Sequence, residues 1–96
     1  MSVIVAEAMA MLEQKLGGRG FDGSAKFVIE GEGAFVVDAG GVRLGDDAAD
    51  VTLSASPTVF KAIFDGDMNP TAAFMTGKLS VDGNMGMAMK LASILG

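Results

Sequence analysis

The chain has 96 residues, half of them hydrophobic, with 12 acidic against 7 basic side chains and a net charge of −5. That length supports one domain around one core, residues 1–96, and the cations stand singly, so the clustered basic footprint of nucleic-acid binding or of strong docking on anionic membranes is missing. Cysteine and histidine are both absent, which removes disulfides, thiolate metal sites, the strongest protein nucleophile and the commonest general base.

Met1 to Val5 has no basic run leading into an apolar one, and no apolar stretch approaches the roughly 18 residues of a membrane span. A soluble intracellular protein is expected. Val3 to Leu16 reads as an amphipathic helix, with Val5, Ala8, Met9, Leu12 and Leu16 on one stripe. Gly17-Gly18-Arg19-Gly20 stops it. The loop lacks the G-x-x-x-x-G-K-[ST] pattern of a phosphate cradle, so a helix stop and turn is the expected role.

From Phe21 to Ala55 the period becomes two. Ala25, Phe27 and Ile29 alternate with Ser24, Lys26, Val28 and Glu30, and an extended run resumes over Ala34 to Asp38. Gly40-Gly41 predicts a two-residue hairpin into Val42-Arg43-Leu44. Asp46-Asp47-Ala48-Ala49 predicts another turn before Val51, Leu53 and Ala55. Short turns throughout predict an antiparallel meander.

Ser56-Pro57 and Asn69-Pro70 each read as an N-cap followed by proline at the first helical position. The first helix gathers Val59, Phe60, Ile63 and Phe64 on one side and ends at Gly66. The second runs over Pro70 to Thr76, with Gly77 placed to close it in the left-handed conformation. Lys78 to Asp82 is the final strand, with Leu79 and Val81 on one face. It must rejoin the sheet, whose one face the helices cover.

The last helix begins at Met85. With Met85 as zero and about 100° per residue, Gly86, Lys90 and Ser93 fall near 100°, 140° and 80°. Every other residue to Leu95 is apolar. A one-sided contact needs an apolar arc only somewhat over about 100° wide. The surplus predicts a dimer interface, a membrane-facing surface or an internal lipid cavity. The eight Met and six Phe residues, with no Trp or Tyr, suit either a Met-rich core or a deformable lining for variable apolar ligands.

Catalytic patterns are missing: neither G-x-S-x-G nor S-x-x-K occurs. Asp46-Asp47 is a carboxylate pair in a polar turn and reads as solvated charge. Asp65-Gly66-Asp67-Met68-Asn69 opens like a calcium loop but has Pro70 where glycine is needed and Thr76 where glutamate is needed. Asn69-Pro70-Thr71 fails as a glycosylation acceptor because of its central proline. The expectation is a protein that is not an enzyme, with no metal and no cofactor.

Pro70-x-x-Ala73-Phe74-x-x-Gly77-Lys78-Leu79-x-Val81-x-Gly83-Asn84, continuing to Ala88-Met89-Lys90-Leu91, resembles the sterol carrier protein 2 (SCP2) family. Asp50-Val51-Thr52-Leu53-Ser54 ahead of the Phe60–Phe64 helix fits the same layout. The resemblance implies an α+β fold, a five-stranded, mostly antiparallel sheet covered by helices around an apolar tunnel. It also implies non-catalytic binding and transfer of fatty acids, fatty acyl-CoA, sterol-like molecules or phospholipids. By the motif match, Phe60, Phe64, Phe74, Met75, Met85, Met89 and Leu91 are the expected lipid-cavity residues, with Lys78 and Lys90 as head-group candidates. The chain ends Ile94-Leu95-Gly96, without the Ser/Ala-Lys-Leu peroxisomal address, in keeping with a stand-alone cytoplasmic member. Expected partners are a lipid or fatty acyl ligand, with transient membrane contact and no nucleic acid. The alternative is an interaction module that uses the apolar last helix for a homodimer or a partner enzyme, to which it would present lipid.

Overall fold

The computed structural model describes residues 2–95; Met1 and Gly96, the two ends of the expected domain, lie outside the described residues. Helix α1 (Val3–Leu16) is followed by strands β1 (Ala25–Ile29), β2 (Gly33–Asp38), β3 (Gly41–Leu44) and β4 (Val51–Ala55). Helices α2 (Pro57–Phe64) and α3 (Pro70–Met75), strand β5 (Ser80–Gly83) and helix α4 (Met85–Leu95) complete the chain.

The starts of α1, α2 and α3 and the end of α1 lie where the capping chemistry puts them, whereas α2 and α3 stop one residue short of the expected glycines, with Asp65 and Thr76 as their C-caps. The Ser2 hydroxyl accepts from the Ile4 and Val5 amides, and the Ser56 hydroxyl from the Val59 amide, so donors left without intrahelical partners are satisfied. Gly17 closes α1 at φ 64°, a conformation that glycine adopts without steric penalty.

The sheet is mixed, in the order β3-β2-β1-β4-β5. Three pairings are antiparallel, but β1 and β4 at its centre run parallel. The expected meander therefore holds only for β1–β3. β3 and β4 point the same way, so Gly45–Asp50 is a return crossing and not a hairpin turn. Six extended residues reach about 20 Å, enough to cross three strand spacings of about 4.8 Å each. Lys26, Val36 and Arg43 form one cross-strand row on the sheet's outer face. Asp46 binds Lys26 at 2.9 Å and Asp47 binds Arg43 at 3.7 Å, holding the crossing over that row. Val36 is accordingly 1% exposed while lying outside the main core. The β2–β3 turn is also displaced by one residue from expectation. Its loop is Ala39-Gly40, because Asp38 pairs with Gly41.

The inner face carries Ala25, Phe27 and Ile29 of β1, Phe35 and Val37 of β2, and Val51, Leu53 and Ala55 of β4, all buried. Phe27 stacks on Phe35 with ring centroids 4.9 Å apart and meets Phe60 and Phe64 at 5.9 and 6.3 Å. Val5, Ala8, Leu12 and Leu16 of α1, Ile63 of α2 and Leu91 and Leu95 of α4 cover this layer. Among the described residues no polar or charged residue is buried. None of their helices is long and apolar enough to cross a membrane.

Candidate functional site

The segment that leaves α2 builds the site. The Asn69 carboxamide oxygen accepts from the Thr71 and Ala72 amides at 2.8 and 3.1 Å, and Pro70 presets the first helical φ, so even a six-residue helix is held. Beyond α3 the chain turns through Gly77 at φ 78°. It buries Leu79 and enters β5, which pairs with β4 at the sheet edge. Gly83 lies against β4, where a Cβ would run into the Asp50 carbonyl, so this close approach depends on glycine. The Asn84 amide then donates to the Asp50 carbonyl at 2.9 Å, and the Asn84 side chain accepts from the Met87 amide at 3.1 Å. Those bonds fix where α4 starts and how it leaves the sheet.

Between α3 and α4 lies a cavity of about 250 Å³. Leu53, Leu79 and Val81 form its floor. Pro70, Thr71, Phe74 and Met75 make one wall, and Met85, Ala88, Met89, Ala92 and Leu95 the other. Thr71 supplies the single polar side chain among these twelve residues, and none is titratable. Met75 is 78% exposed, Met89 70%, and Met85 and Phe74 less so, leaving a solvent-facing rim of soft apolar groups. The groove can take up apolar surface; no side chain with an ordinary catalytic pKa lines it.

Phe74, Met75, Met85 and Met89 therefore come together as lining. Phe60, Phe64 and Leu91 do not: they are buried in the core beneath. Lys90 contacts Asp22 at 3.4 Å and lies over the Phe21 ring at 5.8 Å. On α4 it stands about 140° from Met85, whereas the lining residues Ala88, Ala92 and Met89 fall near 300°, 340° and 40°. It is turned away from the groove, which argues against the head-group role expected for it. Lys78, in the link between α3 and β5, is exposed and makes no ion pair with any described residue.

Sequence reasoning missed Leu53, Pro70, Thr71, Leu79, Val81, Ala88, Ala92 and Leu95 as lining. A signal for two of them was present. Ala88 and Ala92, four apart and flanked by Met85 and Met89 on one arc, leave space beside long side chains.

Charge is also uneven. Residues 68–95 hold one of the 12 acidic groups, Asp82, together with Lys78 and Lys90. The clear pKa shifts lie elsewhere. A hydrogen bond from Arg43, aided by one from the Gly40 amide, holds the Asp38 carboxyl below its ordinary range. The bond to Asp65 raises the Lys61 ammonium.

The family model described as the SCP-2 sterol transfer family matches residues 7–96. Hydroxysteroid dehydrogenase-like protein 2 of Xenopus tropicalis is 44% identical over 82 residues, which span 77% of this chain and 20% of that protein. Sterol carrier protein 2 of Gallus gallus is 44% identical over 68 residues, 66% of this chain and 12% of that protein. The chain thus matches a small part of these longer relatives. Among solved structures, sterol carrier protein 2 of Aedes aegypti in complex with palmitate superposes with a TM-score of 0.80 at 25% identity, covering 100% of this chain and 97% of that one. The sterol carrier protein domain 2 of Helicoverpa armigera gives 0.78 at 28% identity, with coverage of 96% and 85%.

Proposed function

The chain belongs to the SCP-2 sterol transfer family, and on that premise we propose that it is a single lipid-carrying domain, residues 1–96, that binds and releases apolar lipids without making or breaking a bond. The groove between α3 and α4 carries this reading: eleven of its twelve lining residues are apolar, and its rim is Met and Phe. The palmitate held by the Aedes aegypti relative supports a long-chain ligand here. Fatty acids, fatty acyl-CoA, sterol-like molecules and phospholipids are the candidate cargo. Phe74, Met75, Met85 and Met89 contact the chain, while Phe60, Phe64 and Leu91 back the walls from the core.

A chain of about 15 methylenes gains roughly 12 kcal/mol on leaving water, at about 0.8 kcal/mol per CH₂. Lost freedom on association offsets several of these. The competing site in a cell is the bilayer, where the same chain is already out of water. Transfer from bilayer to protein is then near balance, which suits exchange. The cavity of about 250 Å³ falls just below the range of about 300–1,000 Å³ common for ligand pockets, so the unbranched Met side chains must move aside on loading.

Titrating delipidated protein with a fluorescent fatty acid tests the reading. Saturation at micromolar concentration is expected; its absence overturns the carrier function. The exposure of Met75 and Met89 also favours a second reading, in which this rim meets another copy or an enzyme that receives the lipid. Concentration-dependent sedimentation that ligand leaves unchanged would favour it.

A further inference from the structure

A second cavity, of about 260 Å³, shares Pro70, Thr71, Met89 and Ala92 with the apolar groove and adds Asn69 and Ser93. The two form one trough, running along α4 from Met85 to Ser93 over about 12 Å. Its Met75–Met85 end is wholly apolar. Its other end presents the Thr71 and Ser93 hydroxyls and the Asn69 carboxamide, whose oxygen is committed to backbone amides while its N–H groups remain available.

Among the described residues no cation lines that end. Lys90 is held on Asp22, and Lys78 follows the opposite end of α3. The charged residues just before Asn69 are Asp65 and Asp67, and the nearby Lys61 is paired with Asp65 at 3.0 Å. An ionised carboxylate or phosphate at this end finds no counter-charge to replace its water and keeps its hydration. An uncharged hydroxyl finds two hydroxyl partners and an amide donor.

Resting on the carrier reading, we infer that Thr71, Ser93 and Asn69 form a head-group subsite that selects lipids with an uncharged, hydroxyl-bearing head over ionised fatty acids. The chain then lies toward Met75 and Met85. Thr71 and Ser93 determine specificity, and the groove supplies affinity common to all chains.

The test is displacement of the neutral dye Nile red from the full chain at pH 8 by 1-monomyristoylglycerol and by myristate, two lipids with the same acyl chain. The glyceride is expected to displace dye at about a tenfold lower free concentration, the worth of one or two net hydrogen bonds. Thr71→Val combined with Ser93→Ala, both on exposed residues, is expected to erase that difference by raising the glyceride's displacing concentration to that of myristate. Lys78→Gln is expected to alter neither ligand. Equal displacement by the two lipids, a preference that survives the double substitution, or a loss of binding on Lys78→Gln overturns the subsite and leaves the carrier function standing. If neither lipid displaces the dye, both fall.

Discussion

Met89→Gln separates ligand binding from folding. Met89 is 70% exposed at the rim of the groove, so replacing it with a polar residue of similar length changes stability within about 0.5 kcal/mol. Burying a Met side chain fully contributes about 1.5–3 kcal/mol. A ligand that covers the exposed 70% thus gains about 1–2 kcal/mol from this residue, and Gln forfeits most of it. At about 1.4 kcal/mol per tenfold, the fluorescent fatty acid should bind about 5- to 30-fold more weakly. Met75→Gln should behave alike. Val3→Gln is the control, since Val3 is 72% exposed on α1, away from the groove. Fluorescence titration gives the affinity and thermal melting checks the fold. Unchanged affinity in Met89→Gln, or an equal loss in Val3→Gln, would refute the assignment of the groove as the binding site.

Phe27→Ala removes the ring shared by the Phe35, Phe60 and Phe64 contacts and should cost about 3–5 kcal/mol, a large part of a small domain's stability of about 5–15 kcal/mol. Chemical denaturation measures it, and a loss below about 1 kcal/mol contradicts the core described above. Ser56→Ala should lower the denaturation midpoint by the equivalent of about 1 kcal/mol with an unchanged slope, through the lost cap on α2. Gly83→Ala should destabilise by at least about 1–3 kcal/mol from its backbone conformation alone, and should also weaken lipid binding because β5 supplies the groove floor. Unaltered affinity in a folded variant would refute that link. In acid, the Arg43 hydrogen bond holds the Asp38 carboxyl below its ordinary value of 3.8. A depressed folded-state pKa stabilises above the unfolded value, and that stabilisation disappears as pH falls through the folded one. Arg43→Ala should therefore flatten the loss of stability below about pH 4, by a small amount because the pair faces solvent. An acid limb of unchanged steepness would exclude a role for this pair.

Much of the local structure was legible in the residues. α1 and α4 begin and end where their periodicity and caps place them, and Ser56-Pro57 and Asn69-Pro70 open helices. The parallel β1–β4 pairing was not legible. A six-residue polar connection can turn a hairpin or recross a sheet, and Asp46 and Asp47 acquire their role only once Lys26 and Arg43 stand in one row on either side of Val36. The groove was legible in part. The angular surplus on α4 falls on Met85, Met89, Ala88 and Ala92, but an arc on an isolated helix does not say which neighbour will leave it uncovered.

The phenylalanines mark the boundary. Phe60, Phe64 and Phe74 carry the same side chain on consecutive helices; periodicity puts Phe60 and Phe64 on an apolar face, and the family motif singles out Phe74. Hydrophobic period and capping are set by residues within a turn or two, so they survive without the rest of the chain. That Phe60 and Phe64 fill the core over Phe27 while Phe74 lines a groove follows from long-range packing. That outcome depends on β5 returning to β4 through the Gly83 contact, which sets α3 and α4 far enough apart to leave space between them. A cavity is a failure of distant surfaces to meet, and no single segment encodes it.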